Sequence, residues 1–345
     1  MILGSSSLER SLRSKALPEG IASDAGWYSS HPAFFMSRFE DELKQKASSL
    51  GIDKIGIAPA DALTGEGKRL REWLARDYHG AMAWMEREPE KRIDPSAIFP
   101  NAKSVIVGAV NYFTDHAHSN AAEAGKISRY AWGDDYHDVL REKLAGLLDW
   151  ICEKRPGTGG KICVDTAPMM DKAWAVQAGL GWIGKHSNLI TTELGSWVFI
   201  GEIILDIELV ADADRVDDHC GTCTACLEAC PTNAIVEPYV VDSRKCISYA
   251  TIELRDETLP AEIADNLNGW LYGCDICQDV CPWNRFEQAT SEARFEPRNG
   301  ETELTLDRLA AMEHDEYVER FRRSAMKRTK LAGLQRNAKA LSSKV

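Results

Sequence analysis

The stretch AGLGWIGKHS, residues 178–187, carries two overlapping glycine patterns, and their reading decides the fold. Gly179, Gly181 and Gly184 fit the G-x-G-x-x-G of a dinucleotide-binding turn, while Gly179 to Lys185 fit the G-x-x-x-x-G-K of a P-loop. A P-loop places Ser or Thr directly after the lysine, because that hydroxyl holds magnesium. Here His186 fills the slot and Ser187 comes one residue late. Both motifs also need a strand before the glycines and a helix after them, so that a helix N-terminus faces phosphate. The flanks run the other way. DKAWAVQA (171–178) is rich in helix formers, with Ala173, Val176 and Gln177 at helical spacing, and NLITTELGSWVFIGEIIL (188–205) is β-rich. The order helix, glycines, strand leaves no phosphate cradle. It predicts a helix C-cap and a tight turn, where glycine tolerates positive φ.

Outward from this turn, helices and strands alternate. An amphipathic helix starts at Phe39, and another over 137–154 places Leu140, Leu144, Leu147, Leu148 and Ile151 on one face. DKIGIAPA (53–60), KSVIVGAV (103–110), KICVD (161–165) and SWVFIGEIIL (196–205) read as strands. This pattern suggests an α/β core over about 37–210. Residues 1–36 contain Ser, Gly and Pro without a period and read as a mobile extension. In the 345-residue chain, 44% hydrophobic and 27% charged residues suit a soluble protein with a substantial core. A net charge of −12 excludes a generally basic nucleic-acid coat but leaves room for a local basic face. No apolar run approaches the roughly 20 residues that span a bilayer. The first 30 residues lack the apolar segment of a secretory signal. Ten cysteines in such a chain are expected as reduced thiols serving metals in the cytoplasm.

The cysteines fall in two sets. CGTCTACLEACP (220–231) spaces Cys220, Cys223, Cys226 and Cys230 as C-x2-C-x2-C-x3-C-P, the bacterial ferredoxin run. In that run three close thiolates hold one 4Fe-4S cube and the fourth ligates the other cluster. The second set, Cys246, Cys274, Cys277 and Cys281, ends in CDICQDVCP, with Cys246 displaced far upstream. An insertion therefore separates ligands that meet in space. Swapped ligation predicts one cluster on Cys220, Cys223, Cys226 and Cys281, and the other on Cys230, Cys246, Cys274 and Cys277. Zinc is the alternative for paired C-x2-C units, although it has no need of three cysteines in seven residues followed by Cys-Pro. Cys152 and Cys163 are left over as buried thiols. A two-cluster module beside an α/β domain delivers electrons to an acceptor in that domain.

The segments EPEKRIDP, ISRYAWGDDYH, VDTAPMMDKAWAVQAGLGWIGKHSNLI, CISYATIEL and RRSAMKRTKLAGLQRNA, with the split second cysteine run, resemble epoxyqueuosine reductases from about residue 50 to 340. The resemblance implies a cobalamin-dependent enzyme. Two 4Fe-4S clusters would pass electrons to the corrinoid, which removes the epoxide oxygen of epoxyqueuosine in tRNA. No D-x-H-x-x-G signature is present, so a lower-axial histidine is not expected. The proton donor carried over is Asp165 in VDTAP, which needs burial to raise its pKa. The alternative for Asp165 is a helix cap, and the rival acid Asp171 reads as a surface charge. Arg92 is a candidate for a corrin propionamide or a tRNA phosphate, or else solvated. Tyr136 and His137 precede a helix, the histidine reading as structural, and Ser248 and Asp275 lie beside cluster ligands and face what the clusters reduce. Trp182 reads as core or as a cover for a flat ring.

From Arg320 to Val345 there are nine Lys or Arg residues and no acid. They suit tRNA phosphates. A solvated helical face, or docking on the acidic stretch around 206–218, are the alternatives. The whole reads as an α+β or α/β protein: a reductase-like cobalamin-binding domain over 37–210, a ferredoxin-like two-cluster domain over 211–290, and a short helical basic segment over 291–345. Expected partners are tRNA carrying epoxyqueuosine and an electron-donor protein, with no membrane and a monomeric state. A dehalogenase-like corrinoid reductase of a small molecule and a plain electron carrier are the rival readings.

Overall fold

The computed structural model describes residues 38–212 and 215–343, so the extension read at 1–36 lies outside the described residues. A four-stranded sheet is built from β1 (Lys54–Pro59), β2 (Ser104–Asn111), β3 (Gly160–Cys163) and β4 (Val198–Leu205), in the order β1-β2-β4-β3. Every pairing is antiparallel, the α+β form of the mixed fold. β2 is buried along its whole length because both faces are covered. Ile106 and Val110 point to one layer and Val105, Val107 and Ala109 to the other, as a period of two requires.

The first layer holds α1 (Arg38–Ser49) and α2 (Tyr136–Lys154), which bury Leu43, Leu140, Leu144, Leu147 and Ile151 against the sheet. The second holds α3 (Asp171–Gln177), with Ala173 and Trp174 inward. α3 closes in a Schellman motif. Leu180 N–H bonds Ala175 C=O at 2.9 Å and Gly179 N–H bonds Val176 C=O at 3.1 Å. Gly179 has φ of 75°, and a Cβ on Gly181 would stand 2.0 Å from the Ile190 carbonyl oxygen. The chain then turns through a hairpin, Trp182–Ile183 against Leu189–Ile190. The glycines thus serve a helix end and a close backbone approach.

A third core joins the segment between the cysteine runs to the C-terminal residues. Leu334, Ala338 and Leu341 of α4 (Lys330–Ser342) pack with Ile247, Leu267, Trp270 and Tyr272. Arg336 donates to the carbonyls of Ala250, Leu254 and Asp256, and Asn337 to those of Thr251 and Leu271. Among the described residues the tail docks on 247–272, not on the acidic stretch around 206–218. Its apolar stripe and the buried Arg336 explain why. Each fully buried leucine contributes about 1.5–3 kcal/mol, and a buried guanidinium must have its donors satisfied.

Candidate functional site

Asp165 stands just beyond β3 with φ of 48°, in the left-handed region that L-residues avoid. Its side chain is 58% exposed. Oδ2 lies 3.1 Å from His137 Nε2, while His137 Nδ1 lies 2.6 Å from Asp135 Oδ1. The same Asp135 carboxylate caps α2 by accepting the His137 amide. Desolvation pulls the His137 pKa down, but the two carboxylates outweigh it and push it to about 9. The ring is therefore an imidazolium at neutral pH, donating from both nitrogens. Asp165 is its counterpart. Desolvation raises this carboxyl, but His137, the Tyr136 hydroxyl and the Arg328 charge hold it below the usual range. The expected burial-raised acid is not at Asp165; the proton sits next door, on His137.

The elevated acid is Asp171, at the start of α3. It is no surface charge: its Oδ1 is buried without a donor, and it faces Glu202 of β4, whose two oxygens are also buried without one. Desolvation pushes both carboxyls up, Asp171 to about 7. One proton held between them satisfies both.

Arg92 is buried, with its guanidinium 5.3 Å from the Trp84 ring centre. Desolvation lowers its pKa, opposed by the charges of Asp171 and Asp165, so it belongs to this acid group and is not solvated. Tyr136 stacks between His137 and Phe199, at 4.1 and 4.3 Å. The Lys172 ammonium donates to the Ser187 carbonyl and the Asn188 side chain, at 2.9 and 2.8 Å, and desolvation lowers its pKa. It feels Asp171, Cys277, Asp165 and Cys246. Two cavities, of about 360 and 320 Å³, are lined by neither Asp165, Tyr136 nor any cysteine.

The eight cysteines sort by proximity. Cys226 feels Cys220, Cys281 and Cys223, and Cys281 feels Cys220 and Cys223. Cys277 feels Cys246 and Cys230 ahead of Cys226, and Cys274 feels Cys277 and Cys246. Among the described residues no three such side chains stand close enough to hold a single metal ion. The backbone N–H groups of Tyr249 and Ser248 point to the Cys246 sulfur. Asp275 is placed differently from Ser248. It is fully buried, accepting from the Ser128 hydroxyl and from the Arg129 N–H at 2.8 Å. It anchors that loop.

The eight basic tail residues among the described ones divide too. Arg320 and Arg336 are buried, Arg328 makes a two-pronged pair with Glu253 at 2.8 and 2.9 Å, and Arg322, Arg323, Lys327, Lys330 and Lys339 are exposed. Arg323 C=O accepts from the Asp135 N–H at 2.8 Å, so the tail borders the acid group. Sequence reasoning missed Glu202, Lys172 and the His137 clamp, and counted Arg328 with the tRNA-facing charges. A lone Glu in an apolar strand and an acid two residues before a histidine were the signals present.

A protein named epoxyqueuosine reductase from Synechocystis sp. is 50% identical over 289 residues, 83% of this chain and 99% of that protein. The chain belongs to the epoxyqueuosine reductase family. A second epoxyqueuosine reductase, from Cellulophaga algicola, is 48% identical over 87% of this chain and 97% of its own length. The family described as "Epoxyqueuosine reductase QueG, DUF1730" matches residues 92–166, and the "4Fe-4S double cluster binding domain" matches 219–284, so the module carries two 4Fe-4S clusters. A crystal structure of epoxyqueuosine reductase with a tRNA-Tyr epoxyqueuosine-modified stem loop superposes with a TM-score of 0.82 at 35% identity, covering 88% of this chain and 80% of that one. The Bacillus subtilis epoxyqueuosine reductase, described with its catalytic aspartate loop swung out of the active site, gives 0.81 at 34% identity, with the same coverage.

Proposed function

We infer that the chain reduces epoxyqueuosine to queuosine in tRNA, with electrons passing through the two clusters to a cobalamin seated against Asp165. The observation that carries this reading is Lys172. Its ammonium feels Asp165 and Asp171 as well as Cys246 and Cys277, and on that proximity we place the proton source and the second thiol quartet around one recess. Tyr136 donates to Asp165, and the Lys172 ammonium, held by the Ser187 carbonyl and the Asn188 side chain, has a third N–H to offer a ligand rimmed with carboxamides. Bound at this place, cobalamin supplies low-valent cobalt, a strong reductant and nucleophile toward a strained C–O bond.

Loss of the epoxide oxygen as water takes two electrons and two protons. The chain's own part is the first proton. At neutral pH it rests on His137, whose orientation Asp135 fixes. Filling the recess removes water from Asp165 and raises its proton affinity. Asp165 then takes the proton from Nε2 and passes it to the leaving oxygen. Ser248 supports the second quartet through its backbone N–H to Cys246. Arg322, Arg323, Lys327, Lys330 and Lys339 supply phosphate contacts to the tRNA. The protein works as a cytoplasmic monomer fed by a low-potential donor protein. Among the described residues no helix is long and apolar enough to cross a membrane.

The test is conversion of an epoxyqueuosine stem loop by the anaerobically reconstituted chain with cobalamin and a chemical reductant, followed by nucleoside mass spectrometry. Queuosine should accumulate. A preparation with about eight iron atoms per chain and bound cobalamin, yet no conversion, overturns the reading.

A further inference from the structure

The glycine segment that cradles no phosphate lies against the first cluster's cysteines. Beyond the Schellman turn, Trp182 is 2% exposed and sits edge-on to His219 and Trp283, at 5.1 and 4.9 Å between ring centres. His219 precedes Cys220, and Trp283 follows Cys281 by two positions. The Trp182 indole N–H is buried and completes no hydrogen bond. The acceptor within its reach is the Cys220 sulfur, which the Lys185 backbone N–H also approaches.

The Lys185 side chain grips the same loop. Its ammonium donates to the Gly221 and Cys223 carbonyls, at 2.7 and 2.9 Å. The Lys185 carbonyl accepts from the Tyr239 N–H at 2.9 Å, and the Tyr239 hydroxyl donates to Asp218, which accepts the Cys220 N–H at 2.7 Å. The hairpin is therefore tied to both ends of the first Cys-x2-Cys loop. Trp73 and Trp132 find oxygen acceptors in Val241 and Ile127, whereas Trp182, like Trp84 and Trp174, has none. Trp182 has instead been brought to a sulfur.

We propose that the segment 179–187 is a sulfur cradle, in which the Trp182 indole N–H and the Lys185 backbone N–H both donate to Cys220 and raise the reduction potential of the cluster on Cys220, Cys223, Cys226 and Cys281. The inference rests on the two-cluster reading of the thiol quartets. Reduction adds negative charge that spreads onto the sulfurs, and an N–H dipole aimed at a sulfur stabilises the reduced form more than the oxidised one. The Lys185 charge acts in the same sense, and its clamp fixes the direction of the donors. Trp182 is a positioning residue for electron delivery and touches neither tRNA nor the acid group.

The experiment is an EPR-monitored redox titration of the reconstituted full chain carrying Trp182→Phe. Phenylalanine keeps an aromatic ring beside His219 and Trp283 and removes the N–H. The variant should retain about eight iron atoms per chain. One cluster should become about tenfold harder to reduce in its one-electron equilibrium, a shift of about 59 mV to lower potential, while the other stays put. Lys185→Met should shift the same cluster downward by less. Eight irons with both potentials unchanged overturns the proposal, as does an equal shift of both clusters. If Trp182→Phe fails to hold iron, Lys185→Met decides alone, and an unmoved potential there overturns the idea. A parent protein without two clusters would overturn the underlying two-cluster reading, a result distinguishable from all of these.

Discussion

Asp165 and Asp171 share one short segment, yet their carboxyls are driven in opposite directions. Desolvation raises both. Asp165 meets an imidazolium, a phenol and the Arg328 charge, and ends below the usual carboxylate range. Asp171 meets another carboxyl, Glu202, and ends at about 7. Burial sets the cost of a charge, but the partner decides whether the charge survives. The difference assigns the roles. In the function proposed above, Asp165 is the exposed acceptor that exchanges a proton with His137, and the Asp171–Glu202 pair is a neutralised support under α3.

The sharpest way to break this assignment is Asp165→Asn. Asparagine keeps the shape but carries no transferable proton, so turnover of the stem loop should fall by about 10²–10⁴-fold with iron content unchanged. Turnover within a few-fold of the parent would transfer the role to Asp171 or to a water. His137→Gln comes next, with a loss of about 10²-fold. The parent's kcat should decline as pH rises through about 9, where the imidazolium loses its proton, and the variant should lack that limb. The same linkage acts on stability. A pKa raised above about 6.5 contributes stability that is fully present below that value and lost as pH rises through about 9. Thermal melts across that window should show the parent losing an increment that His137→Gln never had.

Asp171→Asn should change kcat by no more than a few-fold. Its signature lies in stability: an acid whose pKa is raised to about 7 makes the fold lose stability from about pH 4 up to about 7, and the variant should flatten that fall. A large loss of turnover would reverse the two assignments. Reversing the charges of Arg322, Arg323 and Lys327 should have the smallest effect, leaving kcat unchanged at saturating tRNA. For every phosphate that the reversed side chains no longer neutralise, the slope of log affinity against log salt should shrink by roughly 0.7–0.9. Arg328 behaves differently, because it pairs with Glu253 and its charge reaches Asp165. Its replacement should slow the chemistry as well.

Much of this was legible in the chain. The helix–glycine–strand order is a local matter, and α3, its Schellman end and β4 follow from it. The cysteine spacing is equally local. Asp171 was misread because its partner, Glu202, lies on a strand of its own across the sheet. Arg336 was counted with the RNA-facing charges because no pattern in the tail reveals three carbonyls waiting around residues 250–256.

By itself, then, the sequence determined a split ferredoxin run of eight cysteines and a glycine turn with no phosphate cradle, and it singled out an acid at a strand end. Those depend on side-chain identity and on backbone geometry over a few residues. Only the tertiary structure decided which acid holds a proton, which bases face water, and that Trp182 packs between His219 and Trp283 beside the cysteine runs. These properties come from desolvation and Coulomb interaction, which depend on distance in space. Residues far apart in the chain reach that distance only when the core brings them together.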